Sequence, residues 1–233
     1  EIAFTSYLDS VNVNREREAL ETTAFGDGSR TFIKGQRNGS MSFSGFYEDT
    51  AIDALEDDYS SPENPLISVT YGTAAGSRAN MIMGDETSLA INGSVTELVR
   101  FDAEVSASEN AVDQGCLLFP LTTATTVTDA DGAIFDRGPT ATALGGFVAF
   151  MHVMAITGVS ATLDVSIEGD TDPAMGTPAL LTTFSTVTTS GGPTATRAEV
   201  DLTVERYIRI TYSIVGSATF AVTFASRQYP DDL

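Results

Sequence analysis

The sequence predicts a mainly β protein, with an amino-terminal β-barrel or sandwich that carries one short helix and a long loop, followed by a carboxy-terminal β-sandwich. Two observations lead to this fold class. Apolar and polar residues alternate with a period of two in many short segments, as they do in half-buried strands. The chain of 233 residues is 42% hydrophobic and contains 13 Phe and 7 Tyr, which is enough for a core and too much for a disordered acidic chain.

The amino-terminal region contains the clearest strand pattern of the sequence. Its apolar positions are Val99, Phe101, Ala103 and Val105, and its charged positions are Arg100, Asp102 and Glu104. Because strand side chains point alternately to opposite faces, this segment predicts one buried face and one face in water. Residues 11–14 and 41–44 alternate in the same way, and 66–71 and 89–93 are shorter strand candidates.

One segment departs from this alternation. Ile52, Leu55 and Tyr59 recur at spacings of three and four residues, which places them on one side of a helix. Asp49 can cap the first turn, and two prolines follow the segment. The sequence therefore predicts a short helix over residues 49–59.

A long segment, residues 18–38, separates the first two predicted strands. Glycines interrupt it, and the large apolar residues Phe25, Phe32 and Ile33 lie between them. The basic residues in or beside it, five of the twelve in the chain, are Arg15, Arg17, Arg30, Lys34 and Arg37. Long loops in compact domains are usually functional or disordered, and the apolar residues favour a functional loop here.

The composition changes to Thr, Ala, Gly and Asp between residues 121 and 146, which indicates a domain boundary. Residues 147–156 are apolar at nearly every position and predict a central strand that is buried on both faces. Further strands are predicted by alternation over 161–168, 198–204, 207–214 and 217–225.

Three regions follow from these patterns. Residues 1–118 form the amino-terminal domain, residues 119–146 form a Thr/Ala/Gly-rich junction, and residues 147–233 form the carboxy-terminal sandwich.

The charge of the chain excludes several classes of partner. Twelve Lys and Arg against 32 Asp and Glu give a net charge of −20. A surface that grips DNA or RNA needs clustered basic residues to displace counterions, and an anionic membrane attracts basic segments. Such a negative charge can serve solubility, because like-charged molecules repel each other. It can also keep the surface from adhering to nucleic acid, and the sequence leaves both explanations open.

Residue types limit the available chemistry. A single cysteine excludes an internal disulfide, and one histidine with one cysteine cannot build an ordinary thiolate or imidazole metal site. No run of about 18 apolar residues predicts a transmembrane helix, and no secretory leader is visible in the given sequence.

Few residues are candidates for catalysis or ligand binding. His152, inside an apolar run, is interpreted as a hydrogen-bonded core residue rather than a general base, and Cys116 as a small core residue. The pairs Asp129/Asp131 and Asp170/Asp172 offer oxygen ligands for Ca²⁺, but Asp-rich turns explain both pairs. No nucleophile elbow, phosphate loop or dinucleotide fingerprint is present, so we expect neither enzymatic activity nor a cofactor.

The order of several segments in the first half is similar to that of a known family. Residues 8–13 (LDSVNV) lead into 19–27 (ALETTAFGD), a Gly-Ser-rich strand follows at 39–47 (GSMSFSGFY), and the acidic helix comes next. Over residues 5–108 this order resembles the tail tube (major tail) proteins of long-tailed, non-contractile bacteriophages. Residues 163–172 and 204–209 resemble, more weakly, carboxy-terminal β domains of such proteins.

The resemblance implies a structural virion protein. Members of that family polymerise as stacked rings, commonly of six subunits, into a hollow tube that surrounds a tape measure protein during assembly, meets tail-end proteins and later conducts genomic DNA. It implies no specific DNA binding and no membrane partner, with the protein in the host cytoplasm during assembly and in the phage tail afterwards. The extra carboxy-terminal region either decorates the outside of a six-subunit ring, which we favour, or forms a second tube-like domain in a trimeric pseudo-hexamer.

Two sets of site residues follow from the resemblance and the charge pattern. Asp102 and Glu104 are expected to face the lumen, where an acidic wall repels DNA. The inter-ring docking loop is expected to use Phe25, Asp27, Arg30, Phe32, Lys34 and Arg37. The alternative is a capsid-decorating or carbohydrate-adhesive β protein, although Tyr207, Phe220 and Phe224 fall at core-like positions rather than on an exposed platform.

Overall fold

The computed structural model describes residues 8–23, 29–48, 64–93, 98–108, 112–138, 146–201 and 204–226. Within these residues the chain is almost entirely antiparallel β structure, so the predicted fold class is confirmed. The predicted helix over residues 49–59 lies outside the described residues. No helix among the described residues is long and apolar enough to span a bilayer.

Twelve strands and one short 3-10 turn are formed by the described residues. The strands of the first half are β1 (Leu8–Glu21), β2 (Phe32–Phe46), β3 (Leu66–Thr70), β4 (Arg78–Asn92), β5 (Arg100–Ala107) and β6 (Asp113–Asp131). Those of the second half are β7 (Phe135–Asp136), β8 (Phe147–Asp170), β9 (Ala179–Thr183), β10 (Val187–Thr188), β11 (Thr194–Val200) and β12 (Tyr207–Ser226). The 3-10 turn is Thr189–Gly191.

Two compact units divide the chain, and their limits differ from the predicted domains. The small unit comprises 4–67 and 82–112, and the large unit comprises 1–3, 68–81 and 113–233. The predicted junction over 119–146 was wrong for much of its length, because β6 runs through it as one continuous strand that pairs with β12. Threonine is β-branched and favours strands, so its enrichment there does not signal a linker.

The small unit is built on a four-stranded antiparallel sheet in the order β1-β2-β5-β4. Strand β5 confirms the predicted alternation, since Phe101, Ala103 and Val105 are buried while the charged residues between them are exposed. Across the register, Met41 of β2 lies opposite Val105 and is also buried. One face of this sheet is therefore apolar.

The predicted loop over residues 18–38 was wrong in its local structure. Much of the segment is a two-stranded hairpin, in which β1 and β2 stay in antiparallel register as far as the pair Glu21↔Phe32. A bulge between the pairs Arg17↔Arg37 and Ala19↔Lys34 places two residues of β2 opposite one of β1. Strand β1 carries charges on both faces of this hairpin, and the apolar Phe32 and Ile33 of β2 lie on opposite faces, so the alternation by which sequence analysis recognises a half-buried strand is missing.

The large unit is organised by two long strands, β8 and β12, which pair antiparallel from Phe147↔Ser226 to Asp170↔Tyr207. Strand β6 continues this sheet on the far side of β12, and β9, β10 and β11 each pair with β8. The prediction of a central strand buried on both faces is confirmed for Phe147–Val153, and the alternation predicted over 161–168 is also observed.

A bend interrupts both long strands at the same level. Residues between Thr157 and Thr162 of β8 lie opposite the short stretch between Val215 and Ser217 of β12, so β8 bulges there. The two strands predicted over 207–214 and 217–225 are consequently the halves of one bent strand. Because of the bend, both halves of each strand contribute to one core; its members include Phe147, Met151, Leu163, Ile167, Ile210, Phe220 and Phe224.

Gly216 stands at this bend and has a φ of +90°, where side-chain-bearing residues are strained. A Cβ atom at this position would lie 2.5 Å from the carbonyl oxygen of Thr157. We expect Gly216→Ala to lower the free energy of unfolding by about 1–3 kcal/mol, as measured by urea denaturation. Gly176→Ala is the control, since a Cβ there meets no atom within 4 Å, and an equal loss of stability in both variants would contradict the prediction.

Candidate functional site

The face of the small sheet opposite its apolar face is lined by hydroxyl and carboxylate groups. Residues that are directly opposite in the register share this face. One row consists of Ser10, Ser44, Asp102 and Ala90, and the next row consists of Asn12, Ser42, Glu104 and Ser88. We call this surface the polar face.

Hydrogen bonds connect the polar face across its strands. The hydroxyl oxygens of Ser10 and Ser44 are 2.7 Å apart, and the Asn92 amide donates to the Asp102 carboxylate over 3.1 Å. Asp9, at a bulge of β1, forms an ion pair with Arg100 and accepts a hydrogen bond from Ser44. The hydrogen bond from Arg100 is the main cause that lowers the pKa of Asp9, so Asp9 stays ionised well into the acidic range.

The polar face combines exposed carboxylates with serine hydroxyls. Asp102 and Glu104 are both exposed on it, as the alternation predicted, and Arg100 is tied to a carboxylate. Serine hydroxyls and carboxylates both bind water well, and the carboxylates repel phosphate groups. Among the described residues, no group of three His, Cys, Asp or Glu is arranged to hold a metal ion.

The hairpin of β1 and β2 extends beyond the rest of the small sheet. Pairing between β2 and β5 ends at Ser40↔Ser106, whereas β1 and β2 remain paired to Glu21↔Phe32. At roughly 3.3 Å per residue, the eight residues of β2 from Phe32 to Gly39 span about 26 Å. We call residues 15–23 and 29–39 the arm. A two-stranded ribbon without further support is only marginally stable in water.

Large apolar side chains are exposed on the arm. The exposed fractions are 42% for Leu20, 56% for Phe32 and 55% for Ile33, and Leu20 lies directly opposite Ile33. Sequence analysis did not select Leu20, because only the cross-strand register brings it beside Ile33. It also missed the serines of the polar face, although the alternating segment 41–44 contained that signal.

The predicted docking residues fall in two groups. Arg30, Phe32, Lys34 and Arg37 are exposed on the arm, and Arg30 lies 3.8 Å from the Glu21 carboxylate. The prediction for Phe25 and Asp27 concerns residues outside the described part of the chain.

No further described strand pairs with either outer edge of the small sheet. Strand β1 pairs only on its β2 side, and the β4 residues after Gly84 pair only with β5. Open edges present rows of unsatisfied N–H and C=O groups, which are templates for pairing with another strand.

His152 and Cys116 occupy core positions in the large unit, as the sequence indicated. The Nε2 atom of His152 lies 2.8 Å from the Ser68 hydroxyl, which in turn lies 2.9 Å from the Thr223 hydroxyl. Cys116 is buried, and burial raises the pKa of its thiol to about 12.

This pKa predicts an inert thiol in the folded protein. Because the thiolate is the reactive form, we expect the native chain to resist maleimide at pH 8, and to react once it is unfolded in urea. Mass spectrometry of the labelled protein measures the difference. Rapid labelling of the native chain at pH 8 would show that the site opens.

The two aspartate pairs are engaged within the fold. Asp129 accepts a hydrogen bond from the Ser213 hydroxyl over 3.2 Å, and Asp131 binds the Arg209 guanidinium over 2.8 Å. Asp170 accepts backbone N–H groups from Asp172 and Thr177, which lower the pKa of Asp170 and shape the turn after β8. These contacts agree with the structural interpretation of both pairs.

Arginines near the start of β12 have structural partners. Arg206 binds the Asp136 carboxylate through two hydrogen bonds of 2.8 Å, and this contact lowers the pKa of Asp136 to about 2. Arg209 bridges Asp131 and Glu168, and thereby links β6, β12 and β8. Tyr207 between them is half-buried.

No protein-family model and no curated protein matches the sequence. Among solved structures, the chain is similar to a chain from the virion of a native gene transfer agent particle, with 17% identity, a TM-score of 0.39, and coverage of 46% of this chain and 84% of that one. It is also similar to the SPP1 Dit protein, described as a paradigm of the hub adsorption apparatus in phages that infect Gram-positive bacteria, with 8% identity, a TM-score of 0.34, and 95% of both chains covered. By these descriptions, one neighbour belongs to a virion and the other to a phage adsorption apparatus.

Proposed function

We propose that this protein is a structural component of a phage-type virion, without enzymatic activity, and that it polymerises as stacked rings into the hollow tail tube. The observation that carries the proposal is the small sheet, which combines an apolar face, a hydroxyl- and carboxylate-lined face and two edges that no further described strand pairs. The order of segments over residues 5–108, which resembles tail tube proteins, supports the same function.

Ring closure accounts for the open edges. If β1 of one copy pairs with β4 of the next, each copy satisfies its neighbour's edge, and a closed ring has no edge left. This contact joins two different edges of the subunit. The rotation that relates one copy to the next therefore sets the number of subunits in the closed ring. Six subunits, or three with two tube-like units each, are the symmetries that the resemblance implies, and in a six-subunit ring the large unit decorates the outside.

The polar face suits the wall of a DNA channel. Duplex DNA carries one negative charge per roughly 1.7 Å, so a wall that presents Asp102 and Glu104 repels it and prevents adhesion during passage. Before DNA enters, the same wall surrounds a tape measure protein, and tail-end proteins close the tube.

The deciding experiment is negative-stain microscopy of the purified protein across protein concentration and ionic strength. Hollow filaments with a regular axial repeat are the expected result. Monomers or solid particles under every condition would overturn the proposal.

A cysteine placed on the polar face measures whether this face lines the lumen. Ser42→Cys is expected to react with both a small maleimide and a large PEG-maleimide in the unassembled protein, and only with the small reagent in tubes. Gel shifts of pelleted tubes measure the reaction, and the buried Cys116 does not contribute.

Val159→Cys serves as the control, because Val159 is 97% exposed in the large unit. It is expected to react with both reagents before and after assembly, as an outer residue should. Equal reaction of Ser42→Cys with the large reagent in tubes would place the polar face outside.

Removal of the arm tests its docking role. Glu16 and Asn38 are directly opposite, so residues 17–37 can be replaced by Asn-Gly, which closes a two-residue hairpin turn. We expect the free energy of unfolding to change by less than about 1 kcal/mol, since an isolated ribbon contributes little, while axial stacking is lost.

Urea denaturation and microscopy measure the two effects of this deletion. Inserting Gly-Ser after Gly192, where a Cβ meets no atom within 4 Å, is the control and should leave tubes intact. Long tubes from the arm-deleted chain would show that the arm is not needed for stacking.

The alternative, an adhesive module for carbohydrate, needs an exposed aromatic platform. Phe220 and Phe224 are buried, and Tyr71, 59% exposed, is covered on one face by the Arg78 guanidinium at 5.8 Å. The described residues of the large unit therefore favour a structural role over adhesion.

A further inference from the structure

One basic residue lies on the polar face of the small sheet. Outside the arm, the sequence of the small unit contains a single lysine or arginine, which is Arg100. Arg100 and Asp102 are two residues apart on β5, so both side chains point to the polar face. The Arg100 side chain is 44% exposed. If this face lines a DNA channel, as proposed above, each copy brings one guanidinium within reach of the passing DNA.

A free guanidinium at this place would make the channel wall adhesive. Arginine presents a planar fork of N–H donors that matches the oxygens of a phosphate group. Stacked rings would repeat this fork in every copy, and each additional phosphate contact raises the affinity for DNA and its dependence on salt. A wall that lets DNA pass therefore has to occupy the guanidinium of Arg100.

A bulge in β1 places a carboxylate beside this guanidinium. The neighbours of Asp9 on β1 pair with two consecutive residues of β2, Gly45 and Ser44, so Asp9 itself has no residue opposite it. Bulges of this kind redirect a side chain. The Asp9 carboxylate reaches over β2 and forms an ion pair with Arg100 of β5.

The ion pair is held in place by further contacts. One oxygen of the Asp9 carboxylate contacts Arg100, and the other accepts a hydrogen bond from the Ser44 hydroxyl over 3.1 Å. The hydrogen bond from Arg100 lowers the pKa of Asp9, so the carboxylate is charged at neutral pH. The ring of Phe46, which lies opposite Arg100, has its centre 5.1 Å from the guanidinium. The guanidinium is therefore engaged by a carboxylate and an aromatic ring.

We propose that Asp9 shields Arg100 and thereby keeps the polar face from binding the phosphate groups of DNA. This inference rests on the proposed tube function, and it assigns a role to one residue of the channel wall. Asp9 acts through Arg100 and does not itself have to touch the DNA. A neutral side chain in its place would leave the guanidinium available to phosphate.

A purely structural role for the ion pair leads to different expectations. Asp9 and Arg100 lie on strands on either side of β2, so their contact also ties the edge strand to the sheet. Exposed ion pairs add little to stability, and Asp9→Asn should therefore leave the fold intact. A structural tie predicts that Asp9→Asn and Arg100→Gln behave alike, whereas a shield predicts that only Asp9→Asn increases the binding of DNA.

Co-sedimentation of a short labelled DNA duplex with purified tubes tests the shield. Wild-type tubes are expected to leave a duplex of about 20 base pairs in the supernatant at low ionic strength, and Asp9→Asn tubes are expected to retain about tenfold more of it. Added salt should abolish the retention, because the contact is with phosphate. Tubes of mixed wild-type and variant subunits keep the assay usable if the variant alone assembles poorly.

Two further variants separate the freed guanidinium from the change in charge. Glu104→Gln removes one carboxylate from the same face and leaves the contact between Asp9 and Arg100 in place, so the retained duplex should increase by less than about twofold. The double variant Asp9→Asn/Arg100→Gln loses one acid and one base, keeps the net charge of the wild type, and is expected to release the duplex again.

The outcomes distinguish the shield from the tube function. If tubes form but Asp9→Asn retains no more duplex than Glu104→Gln, Asp9 is not a shield and the tube function stands. If no tubes form under any condition, the tube function itself fails, and the inference fails with it.

Chemical modification measures the accessibility of Arg100 in the unassembled protein. Phenylglyoxal adds to accessible guanidinium groups, and mass spectrometry of the digested protein locates the modified arginines. The rate at Arg100 is expected to rise severalfold in Asp9→Asn, whereas the rate at Arg209, which bridges Asp131 and Glu168 in the large unit, should not change. An unchanged rate at Arg100 would overturn the shield even where tubes form.

Discussion

Unsatisfied backbone groups at the edges of the small sheet are the constraint on which the molecule depends. Strand β1 is 14 residues long, is exposed over most of its length and, among the described strands, pairs with β2 alone. Natural proteins shorten, cover or charge such edges, or else use them for association. Most charged residues of β1 lie on the arm, whereas residues 10–14 are uncharged, which suits pairing with another strand.

Charge is distributed unevenly between the polar face and the arm of the small unit. The polar face concentrates hydroxyls and carboxylates on the side away from the core, while the arm gathers five of the twelve basic residues. One surface is therefore repulsive toward polyanions and another is attractive toward acidic copies of the same chain. The described arm carries five basic residues against three acidic ones, so it locally reverses the charge of this strongly acidic chain.

Much of the fold could be predicted from the sequence, because period-two alternation is a local signal. Strand β5 and the buried half of β8 were identified from the spacing of their apolar residues alone. The arm was misread as a loop, since a ribbon that is exposed on both faces needs no alternation. The junction over 119–146 was misread because threonine favours both turns and strands, and only pairing with β12 decides between them. For the candidate site, Asp102 and Glu104 were found from alternation, whereas the serine rows and Leu20 depend on register, which is a long-range property.

The bend at Gly158 and Gly216 has a mechanical consequence for the large unit. Strands β8 and β12 each pass through the bend and supply both of their halves to a single core. Because both halves of each strand pack into this one core, loosening of either half exposes apolar side chains that the other half buries, so the two halves are coupled energetically.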